Sequence, residues 1–80
     1  MVDGWHGEGT YKIGTDIPAG EYYLEQTGDV GGYFEVCKDS KGVLDSIVAY
    51  DYFHGHTYIT VSSGQYLKVE RARFKLDTPS

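Results

Sequence analysis

Short runs of alternating apolar and polar residues, separated by glycine-rich turns, fill most of this 80-residue chain. In Thr10–Ile13, Tyr11 and Ile13 share one face while Thr10 and Lys12 share the other. Glu21–Glu25 turns Tyr22 and Leu24 inward, and Tyr33–Lys38 sets Phe34 and Val36 against Tyr33, Glu35 and Cys37. Thr57–Val61 is rich in β-branched residues, Tyr66–Glu70 alternates again, and Ala72–Leu76 points Ala72, Phe74 and Leu76 inward. A period of two marks half-buried strands. Between the runs lie Thr15–Gly20 with Pro18 in a tight turn, Thr27–Gly32, Asp39–Gly42 as a hairpin with Gly42 left-handed, and Ser62–Gln65. Val43–Tyr50 reads as a bulged strand, although Leu44, Ile47 and Val48 also fit a helical turn. Asp51–His56 reads as an aromatic loop. The pattern predicts an all-β fold, a compact sandwich or small barrel of about six to seven short antiparallel strands. Residues 1–80 form a single β domain in this reading, with a core at about 9–76 and peripheral ends at 1–8 and 77–80.

Composition adds two points. The chain holds eight Tyr, three Phe and one Trp, more rings than a core of this size needs, so some are expected on the surface. The net charge is −5 and unevenly spread. Residues 1–60 carry ten acids against three bases, whereas residues 61–80 carry two acids against four bases. An acidic body argues against direct nucleic-acid binding, which requires phosphate neutralisation. The single cysteine, Cys37, excludes an internal disulfide. Met1–Gly7 has neither the basic nor the apolar region of a signal peptide, and no apolar run approaches the ~20 residues of a membrane span. The chain thus reads as soluble, either cytoplasmic as it stands or an excised domain of an exported protein.

Candidate chemistry is sparse. His54-Gly55-His56 places two imidazoles on one side of an extended segment, but no further ligands fall at a metal-site spacing. Asp45 and Asp51 lack the opposed environments of an acid/base pair. Gly4, Gly7 and Gly9 precede a strand and not a helix, so they form no phosphate loop. Cys37 alternates as a half-buried strand residue. No catalytic residue, metal site or cofactor is expected, and the chain is read as a non-enzyme. The aromatic cluster carries more weight. Tyr50, Tyr52, Phe53, His54 and His56 are candidate partner-binding residues, because tyrosine is enriched in interface hot spots. Phe53 has the alternative of folding back onto the core, and Trp5 of capping one end of the fold.

The segment Gly9-Thr10-Tyr11-Lys12-Ile13-Gly14-Thr15-Asp16-Ile17-Pro18-Ala19-Gly20-Glu21-Tyr22 resembles the opening signature of a small, uncharacterised β-domain of Gram-positive bacteria and their phages. Gly42–Asp51, Thr57–Val61 and Gly64–Val69 are similar to its later segments, in the same order. That resemblance implies a module of secreted proteins or lipoproteins and transfers no catalytic residues. Many exported versions carry a cysteine pair, and this chain has only Cys37. The expected function is a non-catalytic binding module of bacterial or phage origin. It would recognise a protein or cell-envelope component through its aromatic loop or a strand edge, and a homo-oligomer through strand edges is possible. The alternatives are a small acidic phage-encoded inhibitor of a host protein and a small metal-binding protein using His54 and His56.

Overall fold

A computed structural model describes residues 4–39 and 46–77. Seven strands follow one another: β1 (Gly9–Lys12), β2 (Gly20–Gln26), β3 (Gly32–Cys37), β4 (Ile47–Phe53), β5 (His56–Val61), β6 (Tyr66–Glu70) and β7 (Ala72–Leu76). They form an all-β sandwich. The larger sheet has the order β1-β6-β3-β4 and the smaller one β5-β2-β7, with every pairing antiparallel. The radius of gyration is 11.9 Å.

The alternating pattern accounts for the core. Tyr22, Leu24, Ile59, Val61, Ala72 and Phe74 come from the smaller sheet, and Phe34, Val36, Phe53, Leu67 and Val69 from the larger one. The aromatic members meet edge to face, with Phe74 at 5.2 Å from Tyr11 and 5.6 Å from Tyr22. Tyr22 is wholly buried as a ring but donates its hydroxyl to the Pro18 carbonyl at 2.6 Å, so no polar cost is left behind. Ile13 and Ile17 close the same end through a β-bridge.

Two connections between the sheets are very short. His54-Gly55 links β4 to β5, and Arg71 alone links β6 to β7. Arg71 takes a left-handed backbone (φ 54°), and its N–H is held by the Glu8 carboxylate at 2.5 Å. The end of β2 lies between these corners: Gln26 N–H bonds Gly55 O at 2.9 Å, and Thr27 N–H bonds Arg71 O at 3.1 Å.

Several expectations need correcting. The predicted aromatic loop at Asp51–His56 does not exist as a loop, because Asp51, Tyr52 and Phe53 complete β4 and His56 already begins β5. Ile47–Tyr50 is strand, with a bulge opposite Val36 and Cys37 that leaves Val48 without a partner. The hydrogen-bonded reversal after β1 spans Lys12–Asp16, ahead of Pro18, with Asp16 N–H bonding Lys12 O at 2.8 Å. Leu76 lies on Tyr22's side of its sheet but at the rim, 37% exposed. The Gly42 hairpin and Leu44 lie outside the described residues.

Candidate functional site

β4 is an edge strand, hydrogen-bonded to β3 alone among the described strands. Its register sets Tyr52 opposite Tyr33 and Tyr50 opposite Glu35. Both partners alternate with the buried Phe34 and Val36, so Tyr50 and Tyr52 stand on the outer side of the larger sheet. Val48, Tyr50 and Tyr52 are 53%, 63% and 68% exposed. Tyr33 and Tyr52 pack with ring centroids 4.6 Å apart. Burial raises the Tyr33 hydroxyl to a pKa of about 12, with Glu35, Tyr52 and Glu70 adding to the shift. Charge is mixed here: Lys68 faces Glu35 in register and pairs with Glu70 at 3.4 Å. An open hollow of about 340 Å³ runs along Ile47, Val48, Ala49 and Tyr50. The surface therefore offers a tyrosine pair, a third tyrosine and a valine beside balanced charges, which suits contact with a partly apolar partner.

The other candidates named from sequence are scattered. Phe53 is 6% exposed and belongs to the core, its ring tilted against Phe34 with centroids 6.5 Å apart. A Cβ on Gly32 would come within 2.5 Å of that ring, so the glycine is what lets Phe53 turn in. Phe53 offers no contact surface. His54 lies at the corner over Gly31, where a Cβ would meet its ring at 3.1 Å. His56 stands on the smaller sheet, 5.6 Å from Tyr23 and 6.1 Å from Tyr58. The two imidazoles are thus engaged in different surroundings, and no three metal-ligating groups gather among the described residues.

A second aromatic group escaped the sequence reading. Across the outer face of the smaller sheet, Trp5, Tyr23 and Tyr58 form a row with centroid spacings of 6.1 and 5.3 Å. Trp5 does not cap an end of the sandwich. It lies against the Arg73 guanidinium at 4.2 Å and the Lys75 ammonium at 4.8 Å, both favourable to the ring's electron-rich face. Arg73 in turn donates to Glu25, its cross-strand neighbour, at 2.7 and 3.0 Å. Tyr23 is flanked by inward residues in sequence, so its outward direction was legible. Its partners were not, because the β5-β2-β7 order joins distant stretches of chain.

Little nucleophilic chemistry is on offer. Burial, then Glu35 and Asp39, push the half-buried Cys37 thiol above its ordinary pKa, which disfavours the reactive thiolate. No helix among the described residues is long and apolar enough to cross a membrane. A family profile described as "Rv1352-like extracellular domain" matches residues 3–68, which takes in β1 to the middle of β6. No curated protein and no solved structure matches the chain. The family description agrees with a module of secreted proteins and gives the cytoplasmic option no support. The chain belongs to the Rv1352-like extracellular domain family.

Proposed function

We propose that this extracellular domain is a non-catalytic binding module, and that it recognises a protein or cell-envelope partner through the outer side of β4 and β3. The observation that carries this reading is the exposure of Val48, Tyr50 and Tyr52 on one strand, each more than half open to solvent. Exposed tyrosines of this kind cost little entropy to immobilise and bury a large area when covered. Tyr33 packs beside Tyr52 from the neighbouring strand at 4.6 Å, so part of the surface is ordered before contact.

The acidic-inhibitor alternative calls for carboxylates gathered on one face. Glu21 and Glu25 belong to the smaller sheet, Glu35 and Glu70 to the larger, and Asp16 and Asp29 to turns. Glu25 and Glu70 are also engaged by cations. The carboxylates are thus divided between both sheets and the turns, which does not favour the inhibitor reading. The metal-binding alternative gains nothing from the separate surroundings of His54 and His56.

The test is binding of the purified domain to bacterial cell-envelope fractions, comparing wild type with Tyr50→Ala/Tyr52→Ala. The double variant is expected to lose at least about tenfold in affinity, equivalent to ~1.4 kcal/mol, while its unfolding midpoint stays near wild type. Equal binding by the two folded proteins would remove β4 as the contact surface.

A further inference from the structure

The sandwich has four sheet edges, at β1, β4, β7 and β5. Edge strands invite unwanted pairing, and stable proteins blunt them by shortness, bulges, charges or cover. β1 is only four residues long and ends on Lys12. β4 is bulged at Val48 and carries Asp51 opposite the buried Phe34, a charge on the inward side. β7 carries Arg73 and Lys75 and is covered by His6, whose N–H and C=O bond Phe74 at 2.7 and 2.9 Å.

Among the described residues, β5 has none of these guards. Its sequence, His56-Thr57-Tyr58-Ile59-Thr60-Val61, holds no glycine, proline, lysine, arginine or carboxylate. It pairs with β2 in unbroken register from Glu25↔His56 to Gly20↔Val61, and among the described residues with no other strand.

We propose that β5 is a self-association edge, joining a second copy of this chain antiparallel through a two-fold axis into one continuous sheet. Such an axis keeps outer residues opposite outer residues, which restricts the register. The favoured register sets Tyr58 opposite Tyr58, His56 opposite Thr60 and Thr57 opposite Ile59. The row Trp5–Tyr23–Tyr58 then continues into its own symmetry copy. Directly opposed tyrosines are already used twice in this fold, at 5.3 Å for Tyr23–Tyr58 and 4.6 Å for Tyr33–Tyr52. Centring on Ile59 instead would face Tyr58 with Thr60 and leave its ring, 51% exposed, without an aromatic neighbour across the seam.

Charge does not oppose a second copy at this edge. The chain is acidic overall at −5, so two copies repel wherever carboxylates meet. β5 brings none to the seam. The nearest strand acids, Glu21 and Glu25, lie on β2, and the two β2 strands would be three strand spacings apart, about 14 Å. That exceeds the ~8 Å screening length at physiological salt. One strand seam buries less than the ~1,600 Å² of a typical stable complex, so the association is reversible and concentration-dependent.

The experiment is sedimentation velocity on Cys37→Ser protein from micromolar to about 1 mM, with Tyr58→Lys and Tyr50→Lys made in the same background. The parent is expected to pass from monomer to dimer. Tyr58→Lys, which opposes two ammonium groups at the axis, should raise the midpoint concentration at least about tenfold, and Tyr50→Lys should leave it unchanged. A protein that stays monomeric throughout, or a midpoint moved by Tyr50→Lys and not by Tyr58→Lys, overturns the proposal. Register is read by oxidative cross-linking. Tyr58→Cys should form the disulfide-linked dimer far faster than Thr60→Cys, which faces His56, and equal rates would count against the two-fold seam. Loss of envelope binding by Tyr50→Ala/Tyr52→Ala concerns the other sheet and leaves this result untouched.

Discussion

β4 and β5 are consecutive strands, both at sheet edges, joined only by His54-Gly55, yet they manage exposure in opposite ways. β4 guards its backbone edge with a bulge at Val48 and with Asp51, while its outer side chains stay large and apolar. Among the described residues nothing guards the backbone edge of β5, and its inward side chains Ile59 and Val61 are buried. One strand thus presents side chains and withholds hydrogen bonds, and the other presents hydrogen bonds along with two exposed rings, His56 and Tyr58. A strand's face and its edge are separate surfaces, and a guard on one says nothing of the other.

The largest expected effect comes at the corner where the two strands meet. Phe53→Ala removes a buried ring that anchors the end of β4, and should cost about 3–5 kcal/mol in urea unfolding. Tyr50→Ala, three residues earlier on the exposed side, should stay within about 0.5 kcal/mol. Similar losses for both would mean that β4 does not divide into an anchored end and an exposed stretch. Next in size is Gly32→Ala. Its new Cβ would press on the Phe53 ring, already 2.5 Å from the ideal Cβ position, and overpacking of this kind costs about 1–3 kcal/mol. A neutral result would show that the ring can move aside.

How far the sequence discloses this arrangement differs between the same two strands. Thr57–Val61 is legible because its inner side is covered, so Ile59 and Val61 alternate with polar or outward residues. Ile47–Phe53 is not. Ala49 and Asp51 share the side of β4 that faces the buried Val36 and Phe34, but both are exposed, so Phe53 is the one large apolar residue on that side and no alternation marks it. The Val48 bulge breaks the period further. With turn-forming His54-Gly55 directly after, the aromatic end of the strand resembles a loop. The sequence groups Phe53 with the exposed Tyr50 and Tyr52 because nothing local marks which side is covered. The Trp5–Tyr23–Tyr58 row was hidden for another reason: it depends on strand order, and a single sequence shows only which side of each strand faces out.

Removing a guard gives a third test of the contrast. Asp51→Val deletes the inward charge of β4 and makes its edge resemble that of β5. Self-association through β4 should then appear in light scattering, at concentrations at least about tenfold below those needed by wild type. The added Tyr58→Lys change should not suppress it. If Asp51→Val behaves as wild type, the bulge at Val48 is guard enough.

The smallest effect is a pH dependence that separates the two tyrosine pairs. The Tyr33 hydroxyl on the larger sheet is raised from 10.0 to about 12, chiefly by burial and then by Glu35, Tyr52 and Glu70. Tyr23 on the smaller sheet is also raised, by burial first and then by Glu25 and Tyr58, but Arg73 opposes the shift. A folded pKa above the unfolded one means that the native state holds its proton more tightly. The stabilisation is therefore complete below about pH 10 and is lost as pH rises towards 12. Wild-type stability should fall across that window, and Tyr33→Phe should remove part of the fall. Tyr23→Phe should remove less, because the guanidinium beside it already favours the phenolate. Urea midpoints at intervals from pH 9 to about pH 11.5 measure the difference. Identical slopes for wild type and Tyr33→Phe would show that the Tyr33–Tyr52 contact opens in solution. The surface assigned to partner binding would then be less ordered beforehand than the row on the opposite sheet.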